Sequence, residues 1–398
     1  MTITTNYTNG HAVIALQGRL DTASAAQAAS DIERALASCG TIQKLTCDAC
    51  QLEYISSSGL RILLSLAKRY KDFRVVEACA DVYQVFEMTG FTKIMQVEKA
   101  LRRLSVDSCE LIGIGGVGKV YRLDGDTIIK VFREGTTIDE VQTEIGLSKE
   151  AFVLGMPTAI SFDVVRVGTQ YGLVYELLKA TTLSATVAQH PDRVDEYARL
   201  YADLFRQMHS IRVPQGSSIP RAADREESAV RYISRYFDTQ SVDLMLEILS
   251  AIPQVDRLLH CDLQTKNAMV QNGELMLIDM GELGYGHPII DLGHAYSAMV
   301  TLVGDYQQII GMPRELGQDL WARAIDYYFE GLPQDLLEHR KAQIEAVSCV
   351  RNFSWLSLSD SFPEAVVREC QDLFAERIGK RRDYLLEVCK TFSDWQLE

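Results

Sequence analysis

Three side chains with the chemistry of phosphoryl transfer lie close together late in the sequence. Asp262 and Asn267 share one short segment, and Asp279 follows after a turn at residues 271–273 and an apolar stretch at residues 275–278. A hairpin of this shape would bring the segment and the end of its second strand together. One carboxylate can then accept a hydroxyl proton, while the amide and the other carboxylate hold Mg²⁺ against nucleotide phosphates. The set predicts a kinase-type active site.

A glycine run far upstream is compatible with binding of nucleotide phosphates. It has the form G-x-G-x-x-G-x-V and consists of Gly113, Gly115, Gly118 and Val120. In a dinucleotide-binding fold a helix begins directly after such glycines. Here residues 120–123 continue as a strand, turn at an Asp-Gly pair and return over residues 127–132, which predicts a hairpin. A hairpin favours a glycine-rich flap over ATP phosphates.

Lys130 lies in the returning apolar strand, where an unpaired ammonium would be costly. It is either an edge lysine that reaches solvent or a contact to the α- and β-phosphates of ATP. The second interpretation requires an acidic helical partner, and the segment 138–152 supplies two candidates on one face, Glu140 and Glu144. We predict Glu144 as the partner and keep Glu140 as the alternative.

The remaining elements complete a two-lobed arrangement. Residues 171–176 form a predicted strand that ends in a polar crossover, where the backbone at Glu176 and Leu178 is expected to bind adenine. Helical periodicity then dominates, at residues 193–210, 225–250, 315–330, 333–353 and 363–392. We therefore predict an α+β bilobal protein-kinase-like domain with a β-rich N-lobe at residues 104–178 and a helical C-lobe at residues 179–398. The nucleotide would bind in the cleft between these lobes.

The first hundred residues have a different pattern, in which predicted strands alternate with helices. The strands are expected at residues 11–17, 44–48 and 73–77, and the helices at residues 22–38, 58–70 and from 81 to 88. This order predicts an α/β domain whose sheet is covered by helices on at least one face. Charge changes at the same boundary, because residues 1–104 hold 12 basic and 10 acidic residues, and the remainder holds 28 basic and 44 acidic ones.

Residues 1–103 resemble STAS domains, the fold of anti-sigma-factor antagonists. The resemblance rests on the segments 18–22, 52–64 and 85–91. It implies a regulatory or docking module with a protein partner, and it places Ser58 where phosphorylation-switched antagonists carry their acceptor serine. Ser56 stands where an Asp is common. Two interpretations of Ser58 stay open: a phosphate there would be stabilised by free helix N–H groups, or Ser56 and Ser57 merely cap the helix.

Residues 109–398 resemble the aminoglycoside/choline phosphotransferase branch of the kinase-like superfamily. The resemblance rests on His260-x-Asp262-x4-Asn267, on Asp279 after an isoleucine, and on Asp291-Leu-Gly. It implies Asp262 as the catalytic base, Asn267 and Asp279 as Mg²⁺ ligands, Asp291 as a structural anchor of the loop and His260 as a loop-orienting residue. We expect Asp262 to be ionised with a pKa near its ordinary value.

The spacing after the metal ligands bears on the acceptor. Only 11 residues separate Asp279 from Asp291, which leaves little room for the long segment on which a protein kinase binds a peptide. A protein kinase also has an arginine directly before its catalytic Asp, and this chain has Cys261 there, where the phosphotransferase branch usually has Gly. The spacing favours a small hydroxylated acceptor.

Three functions follow, in order of preference. The first is an ATP- and Mg²⁺-dependent phosphotransferase for a hydroxyl of a small molecule, with the STAS domain as regulator or docking platform. The second is a protein kinase whose substrate is a STAS serine, either Ser58 of the same chain or a serine of a partner. Fusion would raise the local concentration of such an acceptor. The third is a catalytically silent protein that senses nucleotide and binds a partner.

Composition excludes several other classes. The net charge is −14, and phosphates of nucleic acid or anionic membranes would be repelled by the acidic second domain. The sequence has no uninterrupted run of 18 apolar residues, so we expect no membrane span. Nine scattered cysteines and a start without signal-peptide features are typical of a cytoplasmic protein with reduced thiols. Cys47 and Cys50 form a single CxxC without a second pair, which is weak support for a metal site.

Overall fold

The first 104 residues fold around a five-stranded mixed sheet with strand order β1-β2-β3-β4-β5. The computed structural model describes residues 1–358, 362–392 and 395. The strands are β1 (Thr2–Thr8), β2 (His11–Leu20), β3 (Lys44–Ile55), β4 (Asp72–Ala78) and β5 (Gln96–Lys99), with a short β6 (Arg102–Leu104) after them. The helices are α1 (Thr22–Ala37), α2 (Ser57–Arg69) and α3 (Ala80–Met88), and a 3-10 turn follows at Phe91–Lys93.

Parallel pairing joins β2 to β3, β3 to β4 and β4 to β5, while β1 pairs antiparallel with β2. The predicted alternation of strands and helices is confirmed, but β1 and the short β5 were missed. The sequence of β1, TITTNYT, has no apolar alternation, and only Ile3 and Thr5 are partly buried. An edge strand of this kind is held by its backbone, so side-chain periodicity gives no signal. The core contains apolar side chains from both the sheet and the helices, among them Ile14, Leu45, Leu63 and Phe86.

The second unit, residues 105–398, begins with an antiparallel sheet in the order β10-β11-β9-β8-β7. Its strands are β7 (Glu110–Ile114), β8 (Gly118–Arg122), β9 (Thr127–Phe132), β10 (Ser161–Val167) and β11 (Gln170–Glu176). Helix α4 (Ile138–Val153) packs against β10 and β11. The hairpin between β8 and β9 and the helix that follows are as predicted, so the glycine run is followed by a strand.

The rest of this unit is mainly helical. Its helices are α5 (Leu183–Gln189), α6 (Val194–Ser210), α7 (Ala222–Ile233), α8 (Thr239–Ser250), α9 (Ile289–Tyr296), α10 (Tyr306–Ile310), α11 (Arg314–Tyr328), α12 (Gln334–Ser354), α13 (Glu364–Arg377) and α14 (Arg382–Cys389). Small sheets are formed by β12 (Thr181–Thr182), β13 (Arg257–Leu259), β14 (Ala268–Gln271), β15 (Glu274–Leu277) and β16 (Gly284–Gly286). The order in these sheets is β12-β14-β15 and β13-β16. Shorter turns lie at Pro191–Arg193, Met280–Glu282, Ser297–Thr301, Trp355–Leu358 and Gly379–Arg381.

Two predicted helical stretches are each divided. The stretch 225–250 breaks between α7 and α8, because Asp238 accepts a hydrogen bond from the Ser241 N–H at 2.8 Å and so caps a new helix. The stretch 363–392 breaks between α13 and α14 at the 3-10 turn Gly379–Arg381. Both breaks coincide with residues that favour helix ends, Asp238 and Gly379, which a prediction from apolar periodicity does not register. In the described parts of the chain, no helix is long and apolar enough to cross a bilayer.

Candidate active site

A buried carboxylate holds the backbone of the loop that follows β13. Asp291, near the start of α9, accepts hydrogen bonds from the His260 N–H at 2.9 Å and from the Cys261 N–H at 2.7 Å. His209 of α6 approaches the same carboxylate at 3.2 Å. Burial opposes ionisation of Asp291, but the hydrogen bond from His209 helps to lower its pKa below the ordinary value. The loop is therefore fixed from beneath by an ionised Asp291.

The loop backbone is left-handed at Cys261, where φ is 63°. Glycine adopts this conformation without the steric cost that a side chain incurs. The Cys261 side chain is buried, and the His294 ring hydrogen-bonds the Cys261 carbonyl at 2.6 Å through Nδ1. The family's preference for Gly at this place thus has a conformational reason, and this chain accepts the strain of a small side chain.

His260 bridges the loop to the strand before Asp279. Its Nδ1 accepts from the Asp262 N–H at 3.3 Å, and its Nε2 lies 3.2 Å from the Ile278 carbonyl, which accepts only. These contacts require the neutral ring with hydrogen on Nε2. Both nitrogens of the buried ring are engaged with backbone groups, which is the geometry of a loop-orienting residue.

Asp262 and Asn267 face each other across the loop. The Asn267 Nδ2 donates to the Asp262 carbonyl at 2.8 Å and to the Asp262 Oδ2 at 3.0 Å. Gln264 Nε2 also approaches Oδ2, at 3.4 Å, so Oδ1 is the carboxylate oxygen left for an incoming hydroxyl. Burial raises the pKa of Asp262 above its ordinary value, and Arg351 is the largest opposing influence. The expectation of an ordinary pKa for Asp262 was wrong, because the sequence does not reveal how far the carboxylate is desolvated.

Lys130 joins the sheet of the N-lobe to this loop region. Its Nζ lies 2.8 Å from Glu144 Oε1 on α4 and 3.0 Å from Asp279 Oδ1 after β15. Tyr175 donates a further hydrogen bond to Glu144 Oε1 at 2.9 Å. Burial would lower the pKa of Lys130, but Asp279 and Glu144 together raise it above the ordinary value. Lys130 is thus a paired cation and not an edge lysine in solvent.

Glu140, which we kept as the alternative partner of Lys130, caps the start of α4 instead. Its Oε2 accepts hydrogen bonds from the Thr137 N–H at 2.6 Å and from the Thr137 hydroxyl at 2.9 Å. Thr137 in turn accepts from the Glu140 N–H, which completes a capping box at the start of α4. Glu140 stabilises the helix, and Glu144, one turn later, contacts Lys130.

The glycine run spans the end of β7, the turn after it and the start of β8. The Gly115 N–H donates to the Gly118 carbonyl at 2.9 Å and closes the turn. Position 118 requires glycine, because a Cβ there would lie 2.2 Å from the Val131 carbonyl oxygen. At Gly113 the nearest atom would be 3.5 Å away, on Val120, which is ordinary contact. Val120 pairs with Lys130 across β8 and β9, so the run and the lysine are in one register.

The predicted hinge follows β11. Glu176 is bound to Ile160, directly before β10, by its backbone and side chain, since its N–H donates to the Ile160 carbonyl at 3.0 Å and its Oε1 accepts from the Ile160 N–H at 3.1 Å. The Leu177 N–H donates to the Asp126 carbonyl at 2.7 Å. No described residue accepts from the Leu178 N–H. The Leu178 N–H can therefore donate a hydrogen bond without breaking one within the described residues.

The oxygen donors of Asn267 and Asp279 fit a hard divalent cation such as Mg²⁺. Backbone pairing places the two residues side by side, because the Ile278 N–H donates to the Asn267 carbonyl at 3.0 Å. Asn267 uses its Nδ2 for Asp262, which leaves its Oδ1 for a metal. Within the described residues, no group of three or more His, Cys, Asp and Glu could hold a metal by itself. Mg²⁺ often has only one or two such protein ligands and takes the rest from phosphates and water.

Sequence reasoning missed one part of this site, a charged cluster beneath Asp262. Arg351 of α12 lies 3.5 Å from Glu226 Oε1 and 4.0 Å from Asp262 Oδ1, measured from its guanidinium nitrogens. His294 Nε2 lies 3.1 Å from Glu226 Oε1. His294 follows Asp291 by three residues and could have been suspected as sharing its helix face. Arg351 and Glu226 lie on helices that are far apart in the sequence, and no local sequence pattern predicts their contact.

In the first unit, Ser56 caps α2 by accepting a hydrogen bond from the Gly59 N–H at 3.3 Å. Ser57 is exposed and Ser58 is partly exposed in the first turn. Gly59 permits close packing, because a Cβ there would lie 2.7 Å from the Leu20 side chain and 2.8 Å from that of Ile55. The cap and an accessible Ser58 therefore coexist.

Cys47 of β3 is buried and Cys50 is exposed, so the CxxC thiols face opposite sides of the strand.

Comparison with known proteins agrees with this two-part architecture. The model of the phosphotransferase enzyme family matches residues 109–333, and that of the STAS domain matches residues 2–104. No curated protein matches the sequence significantly.

Solved structures similar to this chain include a choline/ethanolamine kinase family protein from Mesorhizobium loti, with 18% identity, a TM-score of 0.49, and 71% of this chain and 92% of that chain covered. The ADP-bound aminoglycoside phosphotransferase APH(2'')-Ib has 14% identity and a TM-score of 0.45 over 71% of this chain and 94% of its own. A choline kinase from Cryptosporidium parvum has 11% identity and a TM-score of 0.47, with 71% of this chain and 92% of that chain covered.

Proposed function

Because the chain belongs to the phosphotransferase enzyme family, we propose that it transfers the γ-phosphate of ATP to a hydroxyl group of a small molecule. The observation that carries the proposal is the convergence of Lys130, paired with Glu144, on Asp279, next to the loop of Asp262 and Asn267. The STAS domain is proposed to act as a regulatory or docking module for a protein partner.

Each polar group has a role in this reaction. Asp262 orients the acceptor hydroxyl through Oδ1 and takes its proton as the new bond to phosphorus forms. Lys130 contacts the α- and β-phosphates, and the glycine turn between β7 and β8 covers them. The Leu178 N–H and the carbonyl of Glu176 receive the adenine. Mg²⁺, held by Asn267 and Asp279, would neutralise charge on the phosphoryl oxygens.

The short segment after Asp279 supports a small acceptor. It forms the 3-10 turn Met280–Glu282 and strand β16, which pairs with β13, and α9 begins at Ile289. The segment is thus held by α4 at Met280–Glu282 and by β13 at β16, and none of it forms a platform for a peptide. Arg225 adds to this, because its guanidinium donates to the Glu282 carboxylate at 2.7 Å.

The decisive experiment is a metabolite screen with full-length protein and Mg-ATP, read as ADP formation and as phosphorylated product by mass spectrometry. Wild type is expected to phosphorylate one class of hydroxyl compound. Asp262→Asn is expected to lower turnover by about 10²–10⁴-fold while ATP affinity is retained. Turnover equal in Asp262→Asn and wild type would refute the proposal.

A second candidate, transfer to a STAS serine, is favoured by the partly exposed Ser58 in the first turn of α2. A phosphate there would meet free helix N–H groups. Intact-mass measurement after incubation with Mg-ATP tests it, with Ser57→Ala as the matched control for Ser58→Ala. One added phosphate that is lost only in Ser58→Ala supports this candidate. Unchanged mass in wild type, alone and with added STAS protein, argues against it.

A further inference from the structure

Arg351 approaches the reactive side of Asp262 from α12. Its side chain is 18% exposed, and its Nη2 lies 4.0 Å from Asp262 Oδ1. The other carboxylate oxygen, Oδ2, is occupied by the Asn267 and Gln264 amides. Arg351 thus faces the one oxygen of Asp262 that is left for the acceptor.

The guanidinium of Arg351 has unused hydrogen-bonding capacity. It carries five N–H donors, and no described residue accepts a hydrogen bond from them, although Glu226 Oε1 is 3.5 Å away. None of the guanidinium nitrogens is both fully buried and unpaired, so they reach solvent, and a ligand oxygen can replace water as their acceptor.

The 4.0 Å separation between Arg351 Nη2 and Asp262 Oδ1 fits one oxygen atom between them. It is too long for a direct hydrogen bond. An oxygen placed about 2.8 Å from both atoms makes an angle of about 90° with them, which a hydroxyl can satisfy by donating to one and accepting from the other. The hydroxyl would donate its proton to Oδ1 and accept from Nη2.

We propose that Arg351 is a further catalytic residue, which hydrogen-bonds the acceptor oxygen while Asp262 takes its proton. The inference rests on the proposed phosphotransferase function and deepens it. The acceptor O–H bond breaks and its proton passes to Asp262 Oδ1. The acceptor oxygen forms a bond to the γ-phosphorus, the bond from that phosphorus to the bridging oxygen breaks, and the electron pair leaves with ADP. Arg351 stabilises the negative charge that develops on the acceptor oxygen.

Glu226 and His294 hold Arg351 in this place. His294 bridges two groups of this cluster, since its Nδ1 lies 2.6 Å from the Cys261 carbonyl and its Nε2 lies 3.1 Å from Glu226 Oε1. Burial opposes ionisation of Glu226, but His294 and Arg351 lower its pKa to about 2. The ionised Glu226 thus lies between His294 and Arg351 and attracts the guanidinium by its charge.

Binding of a transition-state analogue tests the proposal without knowledge of the acceptor. The full-length protein is titrated with Mg-ADP in the absence and presence of fluoroaluminate, where water takes the place of the acceptor hydroxyl. Fluoroaluminate is expected to increase the affinity of wild type for Mg-ADP. This gain in affinity is expected to be at least 10-fold smaller in Arg351→Gln than in wild type. Mg-ADP binding without fluoride is expected to be the same in both proteins.

Lys341→Gln is the matched control. Lys341 lies on the same helix and pairs with Asp326 and Glu338, away from Asp262. This variant should show the same fluoroaluminate-dependent gain in Mg-ADP affinity as wild type. Arg351→Lys keeps the charge with a shorter reach and should show an intermediate gain, which also serves if Arg351→Gln is unfolded by circular dichroism. An equal gain in wild type and the folded Arg351 variants, or no gain in wild type, overturns the role of Arg351. Loss of Mg-ADP binding in wild type would instead count against the proposed function.

Discussion

Asp291 accepts a hydrogen bond from the Cys261 N–H at 2.7 Å, and this contact helps to set the shape of the loop that carries Asp262. The acceptor carboxylate is fully buried and the donor lies at a left-handed backbone position with φ of 63°. A strained conformation persists only where its surroundings over-determine it. Asp291 supplies that constraint with a second hydrogen bond, from the His260 N–H.

Asp291→Asn is expected to disrupt the loop, because the amide would direct N–H groups at backbone N–H groups. The free energy of unfolding should fall by about 3 kcal/mol or more, the cost of breaking a buried charged network. Urea denaturation measures it. Asp256→Asn, which loses an exposed pair with Arg212, is the control and should change stability by less than about 1 kcal/mol. Equal effects of the two substitutions would show that Asp291 does not anchor the loop.

Cys261→Gly should be more stable than Cys261→Ala, by about 1 kcal/mol. Both substitutions remove the buried thiol, but only glycine removes the steric cost at positive φ. Comparing the two variants with each other, instead of with wild type, cancels the lost packing of the Sγ atom. Chemical denaturation of the pair decides it. If the alanine variant is as stable as the glycine variant, the left-handed backbone carries no strain.

The local parts of the site could be predicted from sequence, because each depends on a short pattern. The hairpin that carries Asn267 and Asp279, the hairpin of Lys130 and the capped helix α4 all have signals within about 25 residues. Glu226 and Arg351 have none, since they meet His294 only through the packing of α7, α9 and α12. The edge strand β1 was missed for a related reason, as backbone pairing leaves no mark on side-chain type.

Glu144→Gln should lower turnover by about 10²-fold, because Lys130 loses the carboxylate that positions it against the phosphates. Glu140→Gln is a matched control on the same helix. It should lower the free energy of unfolding by about 1 kcal/mol through the weakened capping box, with turnover nearly unchanged. The measurements are the initial rate of ADP formation from Mg-ATP and urea denaturation. A larger loss of turnover in the Glu140 variant would reverse the assignment of the two acids.

Gly118→Ala should prevent tight nucleotide binding, whereas Gly113→Ala should retain it. A Cβ at Gly118 would lie 2.2 Å from the Val131 carbonyl oxygen and push β8 away from β9, which carries Lys130. At Gly113 the added atom meets only ordinary contact at 3.5 Å. Calorimetric titration with a nonhydrolysable ATP analogue and Mg²⁺ should show at least about a 10-fold weaker affinity, equivalent to about 1.4 kcal/mol, for the first variant only. Equal affinities would mean that the β8–β9 pairing tolerates the displacement.

Glu226→Gln should destabilise the protein in a pH-dependent manner. His294 and Arg351 lower the pKa of Glu226 from an ordinary 4.5 to about 2, despite its burial. A group whose pKa is depressed in the folded state stabilises it above the unfolded pKa, and this stabilisation fades as pH falls towards the folded pKa. The difference in unfolding free energy between wild type and Glu226→Gln should therefore be constant from pH 7 to about 5 and shrink between about 4.5 and 3. Glu227→Gln, at an exposed neighbouring position paired with Arg231, should show little difference at any pH. If the difference in unfolding free energy between wild type and Glu226→Gln stays constant down to pH 3, His294 and Arg351 do not hold the Glu226 carboxylate ionised.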